Sequence, residues 1–184
     1  SYDDLVLFKN LSLELDRGEK FCITGPNGTG KSTLLKIIID KIKPDHGTVR
    51  IGPSLKIGYL DQHASTLNPE NTILEEVSKI KPDTLPESLR TILGAFQFTG
   101  DQVFQKIHTL SGGQQNRLML CKLVLSEPDI LILDEPTNHL DIESREMLEE
   151  ALTQYNGTII AVSHDRYFLD KIADRILIIG ADEY

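Results

Sequence analysis

The 184-residue sequence predicts an α/β domain built on a mostly parallel sheet with helices on both faces. Three observations carry that expectation. Short apolar runs alternate with helical patterns from residue 111 to the end of the chain. A glycine-rich turn, GPNGTGKST at 25–33, joins one apolar run directly to a helix. Finally, the runs KFCIT, DILIL and GTIIAVS are each followed by residues able to do chemistry, and the carboxyl ends of parallel strands are where such sheets bind ligands.

In chain order, LSLELD (11–16) alternates apolar and polar residues as a half-buried strand does, and KFCIT (20–24) reads as a more buried one. STLLKIIIDKI (32–42) has the apolar spacing of a buried helix. GTVRIG (47–52) and LKIGYLD (55–61) are expected as short strands bounded by Gly and Pro. The pattern then changes to short helical stretches, NTILEEVSKI and PESLRTILGAF, giving a small helical subdomain at about 64–125 inserted within a single domain, 1–184. A long helix from Ser111 leads to strand DILIL, helix 142–155, strand GTIIAVS, helix DRYFLDKIA and strand DRILIIG.

Lys and Arg total 19 against 28 Asp and Glu, a net charge of -9, which argues against gripping nucleic acid through phosphate contacts, and no direct nucleic-acid site is expected. No apolar run reaches the roughly 18 residues of a membrane span, and the N-terminus lacks a signal pattern. The expectation is a soluble, cytoplasmic domain. Cys22 and Cys121 lie among apolar neighbours and read as buried free thiols of a reducing compartment. A first residue of Ser and an end at ADEY, just after a strand, suggest a piece of a longer polypeptide.

The turn at 25–33 fits G-x-x-x-x-G-K-[ST] from Gly25 to Ser32. Gly25, Gly28 and Gly30 let the backbone curl, so that successive N–H groups, with Asn27 and Thr29 among them, point at one anionic centre. The helix beginning with Lys31, Ser32 and Thr33 adds the positive end of its dipole. Lys31 offers a mobile charge to β and γ phosphates, and the Ser32 hydroxyl is a ligand for Mg²⁺. A nucleoside triphosphate site follows.

ILILDE (130–135) drives an apolar strand inward and then places two carboxylates at its end. Such a pair repels itself and is costly to desolvate, so a cation, a moving proton or a solvated turn must explain it. Beside a phosphate loop, Asp134 is the acid expected at the magnesium. Glu135, one residue on along an extended backbone, would face the other way, towards the γ phosphate, as general base for the attacking water. His164, after GTIIAVS, reaches the same sheet edge and is expected to contact the γ phosphate and orient Glu135 or the water.

LSGGQQNRL (110–118) adds a second helix-dipole phosphate site, with Ser111 as N-cap and Gly112 and Gly113 behind it. With the phosphate loop, ILILDEP and SHD, in that order and spacing, the chain resembles the nucleotide-binding domain of ATP-binding cassette (ABC) ATPases over nearly its whole length. The resemblance implies a P-loop NTPase fold with a mostly parallel core sheet, antiparallel N-terminal strands and a small helical subdomain. It implies an ATPase using Mg²⁺, held through Ser32, Asp134 and Gln62, where Gln62 in YLDQH matches the Q-loop glutamine. Tyr2 would stack on adenine, and Asp141 matches the D-loop acid.

Two such domains sandwich two ATPs in this family. Ser111, Gly112, Gly113 and Gln114 would therefore bind the γ phosphate held by a second cassette, either in the same parent chain or in a homodimer. DEPTNHLD (134–141) with SHDRYFLD (163–170) resembles the ABC-F subfamily, twin-cassette ATPases without membrane domains that act on the ribosome in translation, some protecting it from antibiotics. The region before the signature looks like the second, C-terminal cassette of such proteins. The competing reading is the ATPase subunit of a membrane transporter, but Asn138 and His139 replace the Ser-Ala common there. A DNA-repair ATPase is disfavoured because only 80 positions separate Lys31 from Ser111.

Overall fold

The computed structural model describes residues 7–9, 11–60, 67–138 and 140–180. Its chain divides into two compact units, one of residues 1–59, 129–136 and 156–184 and the other of 60–128 and 137–155.

The first unit holds a five-stranded sheet in the order β2-β3-β4-β1-β5. The strands are β1 (Lys20–Thr24), β2 (Ile57–Leu60), β3 (Ile130–Asp134), β4 (Thr158–Val162) and β5 (Arg175–Ile178). β1 pairs in parallel with β4 and with β5, and β3 pairs in parallel with β4. Helix α1 (Lys31–Ile38) covers one face, where Leu34 and Leu35 join Phe21, Ile23, Ile132, Ile160, Val162 and Ile179 in one core. The opposite pleat, with Cys22, Leu131, Leu133, Ile159 and Ala161, is equally buried. Burial on both faces is why these strands read as continuous apolar runs rather than as alternation.

Three expected elements differ. Residues 11–16 and 47–52 form no strand, so the antiparallel N-terminal strands are absent among the described residues. Leu13 and Leu15 still pack against the core, so the period-two alternation buries side chains without a ladder to hold the backbone. The helix expected over 32–42 stops at Ile38, because Asp40 turns left-handed (φ 60) and the N–H groups of Lys41 and Ile42 both close on the Lys36 carbonyl.

The second unit is helical. It contains α2 (Ile73–Ser78), α3 (Pro86–Ala95), α4 (Gly112–Leu125) and α5 (Ile142–Gln154), with 3₁₀ turns at Gly100–Phe104 and Ile107–Thr109. Local chemistry sets the helix starts: Thr72 with Glu75 and Ser111 with Gln114 form capping boxes, and Pro86 opens α3. The carboxylate of Glu76, 4% exposed, receives hydrogen bonds from Lys122 on α4 and from Asn71, which ties α2 to α4. The chain re-enters the first unit at Asn156, and helix α6 (Arg166–Ile172) belongs to that unit. Among the described residues, no helix is long and apolar enough to cross a membrane.

Candidate functional site

Register builds the site. Ile23 and Asp134 both align with Val162, so β1, β3 and β4 end at one level, and the residues that follow them emerge along one edge.

The loop after β1 cannot carry side chains at its tight points. A Cβ on Gly25, which has φ +149, would lie 2.1 Å from the Ile179 carbonyl oxygen. Gly30 caps α1 at φ +90 with no side-chain hydrogen bond. The first N–H groups of α1 are thus left without a capping side chain, the arrangement that receives an anion at the positive end of a helix. Asn27 and Gly28 are exposed, while the Thr29 hydroxyl donates to the Pro26 carbonyl at 3.0 Å and braces the turn. Thr33 is half-buried on α1.

Lys31 is only 6% exposed, and its ammonium donates to the carbonyls of Gly25 at 2.9 Å and Pro26 at 2.7 Å. Burial pushes its pKa down, against the pull of the Glu135 and then the Asp134 carboxylates. A buried cation that borrows two loop carbonyls is prepared to meet a stronger acceptor.

Ile132 and Asp134 share a pleat, and the pleat of Ile132 faces α1. Asp134 therefore meets the first turn of that helix, where the Ser32 hydroxyl donates to its Oδ1 at 3.1 Å. One hydroxyl and one carboxylate form a sparse, hard-oxygen donor set. Among the described residues, no three His, Cys, Asp or Glu side chains surround a common point. This suits Mg²⁺, which keeps waters and takes phosphate oxygens for the remainder of its shell, and does not suit zinc.

Glu135 departs from the extended backbone expected of it. The strand ends at Asp134, and Glu135 turns left-handed (φ 50) while its N–H still donates to the Val162 carbonyl at 2.9 Å. That conformation is unfavourable for a side chain-bearing residue and tends to occur where function requires it. The turn brings Glu135 Oε1 to 3.1 Å from His164 Nε2, while Oε2 accepts the His164 N–H at 3.4 Å. Burial raises the Glu135 pKa. His164 and its N–H oppose that shift, Asp134 reinforces it and Lys31 opposes it. A carboxyl raised in this way is a better proton acceptor than an ordinary glutamate.

Lys31, Ser32, Asp134, Glu135 and His164 thus gather at one sheet edge. The signature residues and Asp141 belong to the helical unit. In the helical unit, the Ser111 hydroxyl accepts from the Gln114 N–H at 3.3 Å and the Gln114 side chain accepts from the Ser111 N–H at 2.9 Å. Gly112 faces open space. Asp141 caps α5, its Oδ1 accepting from the Ser144 N–H at 2.7 Å. Ser144, first through its nearby hydroxyl and then through that N–H, holds the Asp141 carboxyl below its usual range. Tyr2, Gln62 and His139 lie outside the described residues.

Sequence reasoning missed two groups. The fully buried Ser163 accepts the Asp165 N–H at 3.1 Å, shaping the turn that presents His164. Its signal was the Ser-x-Asp spacing, which favours local side chain to backbone bonds. Arg117 is the other; its partners are remote in sequence and left no local mark.

A family model described as ABC transporter matches residues 8–138. The chain is 49% identical over 171 residues to YdiF of Bacillus subtilis, covering 93% of this chain and 27% of that protein. It is 46% identical over 178 residues to ABC transporter F family member 5 of Arabidopsis thaliana, covering 96% and 26%. With ATP-binding protein Uup of Haemophilus influenzae the identity is 44%, covering 91% and 26%. The chain therefore spans about a quarter of the length of these curated relatives. Among solved structures, the dimeric structure of MJ0796, a bacterial ABC transporter cassette, matches at TM-score 0.76 and 27% identity, covering 95% of this chain and 86% of that one. A post-hydrolysis MJ0796 dimer bound to ADP and Pi matches at TM-score 0.76 and 26% identity, covering 96% and 89%. The complex of archaeal ribosomal stalk protein aP1 with archaeal ribosome recycling factor aABCE1 matches at TM-score 0.74 and 29% identity, covering 88% and 32%.

Proposed function

The chain belongs to the ABC transporter family as one ATP-binding cassette of the ABC-F type, an ATPase domain, and from that premise we propose that it is one half of a paired, nucleotide-driven switch acting in translation. The observation that carries the catalytic part is the Glu135–His164 pair at 3.1 Å, beside a phosphate loop and at the end of a core strand.

In this reading, the backbone of 25–30 and the N-terminus of α1 hold the β and γ phosphates. Lys31 exchanges the Gly25 and Pro26 carbonyls for phosphate oxygens. Ser32 and Asp134 would hold Mg²⁺, with Gln62 as a third contributor, and the ion would supply positive charge at the phosphate oxygens. Glu135 takes the proton of the attacking water, and His164 fixes the carboxylate and contacts the γ phosphate. Tyr2 stacks on the adenine. Ser111, Gly112, Gly113 and Gln114 complete the site on the partner cassette, with Asp141 as the D-loop acid between them.

The pairing is supported by the dimeric MJ0796 structure, and the ribosomal target by the archaeal ribosome recycling factor among the structural neighbours. In this reading the protein works in the cytoplasm, and the short region before the signature makes this cassette the C-terminal one of its parent chain. Glu135→Gln keeps shape and removes the base, so ATP binding should persist while turnover falls by about 10²- to 10⁴-fold. Single-turnover release of phosphate by the paired protein measures this. Turnover at the parental rate would remove Glu135 from the role of base.

A further inference from the structure

Two distant pieces of the sheet unit back the phosphate loop. At its start, the Ile179 carbonyl occupies the place where a Gly25 side chain would stand. At its end, Gly30 meets a different segment: a Cβ there would lie 2.9 Å from Phe8 Cζ, 3.1 Å from Leu7 Cδ1 and 3.2 Å from Leu7 Cβ. A Cβ on Gly28, between them, would meet nothing within 4 Å. Leu7 and Phe8 are half-buried, and Phe8 also packs against the core built from β1, β3, β4 and α1.

The place of that contact matters because Gly30 is where the loop becomes a helix. Its backbone is left-handed (φ 90), and its carbonyl accepts the Leu34 N–H at 2.9 Å, the bond that opens α1. Lys31 and Ser32 follow directly, so a displaced Gly30 carries the ammonium and the hydroxyl with it. The loop's own braces do not replace the contact. Lys31 ties the loop through the Gly25 and Pro26 carbonyls, and these are the bonds it gives up on turning to phosphate. The bond from the Thr29 hydroxyl to the Pro26 carbonyl lies within the turn. Packing of Leu7 and Phe8 on Gly30 offers no polar bond for a nucleotide to displace, and packed apolar groups yield little.

We propose that Leu7 and Phe8 are positioning residues for the phosphate loop, holding Gly30 in the left-handed turn from which α1 starts, so that the loop keeps its ligand-ready shape once Lys31 lets go of it. This rests on the reading of 25–33 as the triphosphate site. Both residues act through Gly30.

The test uses the full-length parent polypeptide, titrated calorimetrically with a non-hydrolysable ATP analogue; the binding step weakened in Lys31→Ala identifies this cassette's site. Phe8→Ala should raise the Kd of that step by about tenfold, as expected if the ligand-ready loop falls to about a tenth of the population. Turnover at saturating ATP should stay within about twofold of the parent, because bound nucleotide restores the loop. Phe8→Met, whose flexible chain can refill the space, should bring the Kd back to within about threefold of the parent. Phe8→Tyr keeps the ring but adds a hydroxyl on the atom nearest Gly30, and should weaken binding by more than about threefold through overpacking. Leu15→Ala removes a side chain that packs on the same core from the 11–16 segment; it should lower the thermal midpoint and leave the Kd unchanged.

A change below about threefold in Phe8→Ala would overturn the proposal. So would an equal loss of affinity in Leu15→Ala, or a loss of turnover at saturating ATP with affinity intact. If Phe8→Ala does not fold, Phe8→Met and Phe8→Tyr carry the comparison, and equal affinities in those two, or tighter binding by the tyrosine variant, would count against it. An unchanged Kd in Lys31→Ala would bring down the phosphate-loop reading itself; weakened binding there with parental affinity in Phe8→Ala would bring down this inference alone.

Discussion

Glu135 in the sheet unit and Glu76 in the helical unit are both glutamates with little exposed side chain, and burial is the strongest influence on each, yet their carboxyls shift in opposite directions. Glu76 is held below the ordinary value because Lys122 and Asn71 donate to it and outweigh its desolvation. Glu135 has His164 beside it but also Asp134, and it stays raised. The comparison separates two uses of a buried acid. One is satisfied by permanent donors and braces a packing contact; the other is left short of donors and remains reactive. The same division runs through both units: Lys31 leans on loop carbonyls that a ligand can replace, whereas Ser111, Gln114 and Asp141 close on their own backbone.

The largest expected break in this contrast is Lys31→Ala, which should weaken ATP binding by about a hundredfold, since a charge-assisted contact to phosphate is lost. Titration calorimetry reads it, and an unchanged Kd would mean that the lysine only braces the loop. Next comes the same substitution made in both units. Glu76→Gln should cost about 2 kcal/mol in urea unfolding, because the Lys122 ammonium then meets a neutral amide in place of a carboxylate. Glu135→Gln should instead stabilise the protein at neutral pH. Equal losses at the two positions would erase the distinction.

Ser111→Ala removes a helix cap and should cost about 1 kcal/mol of stability. Its effect on hydrolysis should appear only when cassettes pair, so an equal slowing in a monomeric sample would place Ser111 in cis. The smallest effect is the pH dependence of the two Gln variants. Glu135 has a folded pKa above the unfolded value of 4.5, so its destabilising charge is present at neutral pH and is lost as pH falls towards 4.5. The stability gap between Glu135→Gln and the parent should therefore close over that range. Glu76 is depressed, so its contribution is full above 4.5 and disappears only at lower pH. The Glu76→Gln gap should persist to about pH 4.5, and denaturation curves at stepped pH compare the two.

Much of the site was legible because its logic is local. A run of glycines between strand and helix, an acid at the end of a buried strand and a serine before a helix are all determined within ten residues. The antiparallel strands at 11–16 and 47–52 failed as expectations for the complementary reason: a strand needs a neighbour, and period-two alternation does not supply one.

The sequence by itself determined the phosphate loop at 25–33, the order of strands and helices from residue 111 onward, the place of Lys31 and Ser32 at the start of a helix, and that of Asp134 and His164 at strand ends. Only the tertiary structure decided that β1 lies between β4 and β5, that the Ser32 hydroxyl donates to Asp134, and that Glu135 leaves its strand in a left-handed turn to meet His164. It also decided that Arg117 donates to the side chain of Gln97. These features depend on partners from 20 positions away, as for Arg117 and Gln97, to 175 − 21 = 154, as for Arg175 and Phe21, and no pattern within a short window can specify which distant group will stand opposite. Register and burial specify it once the sheet and the helical unit have formed.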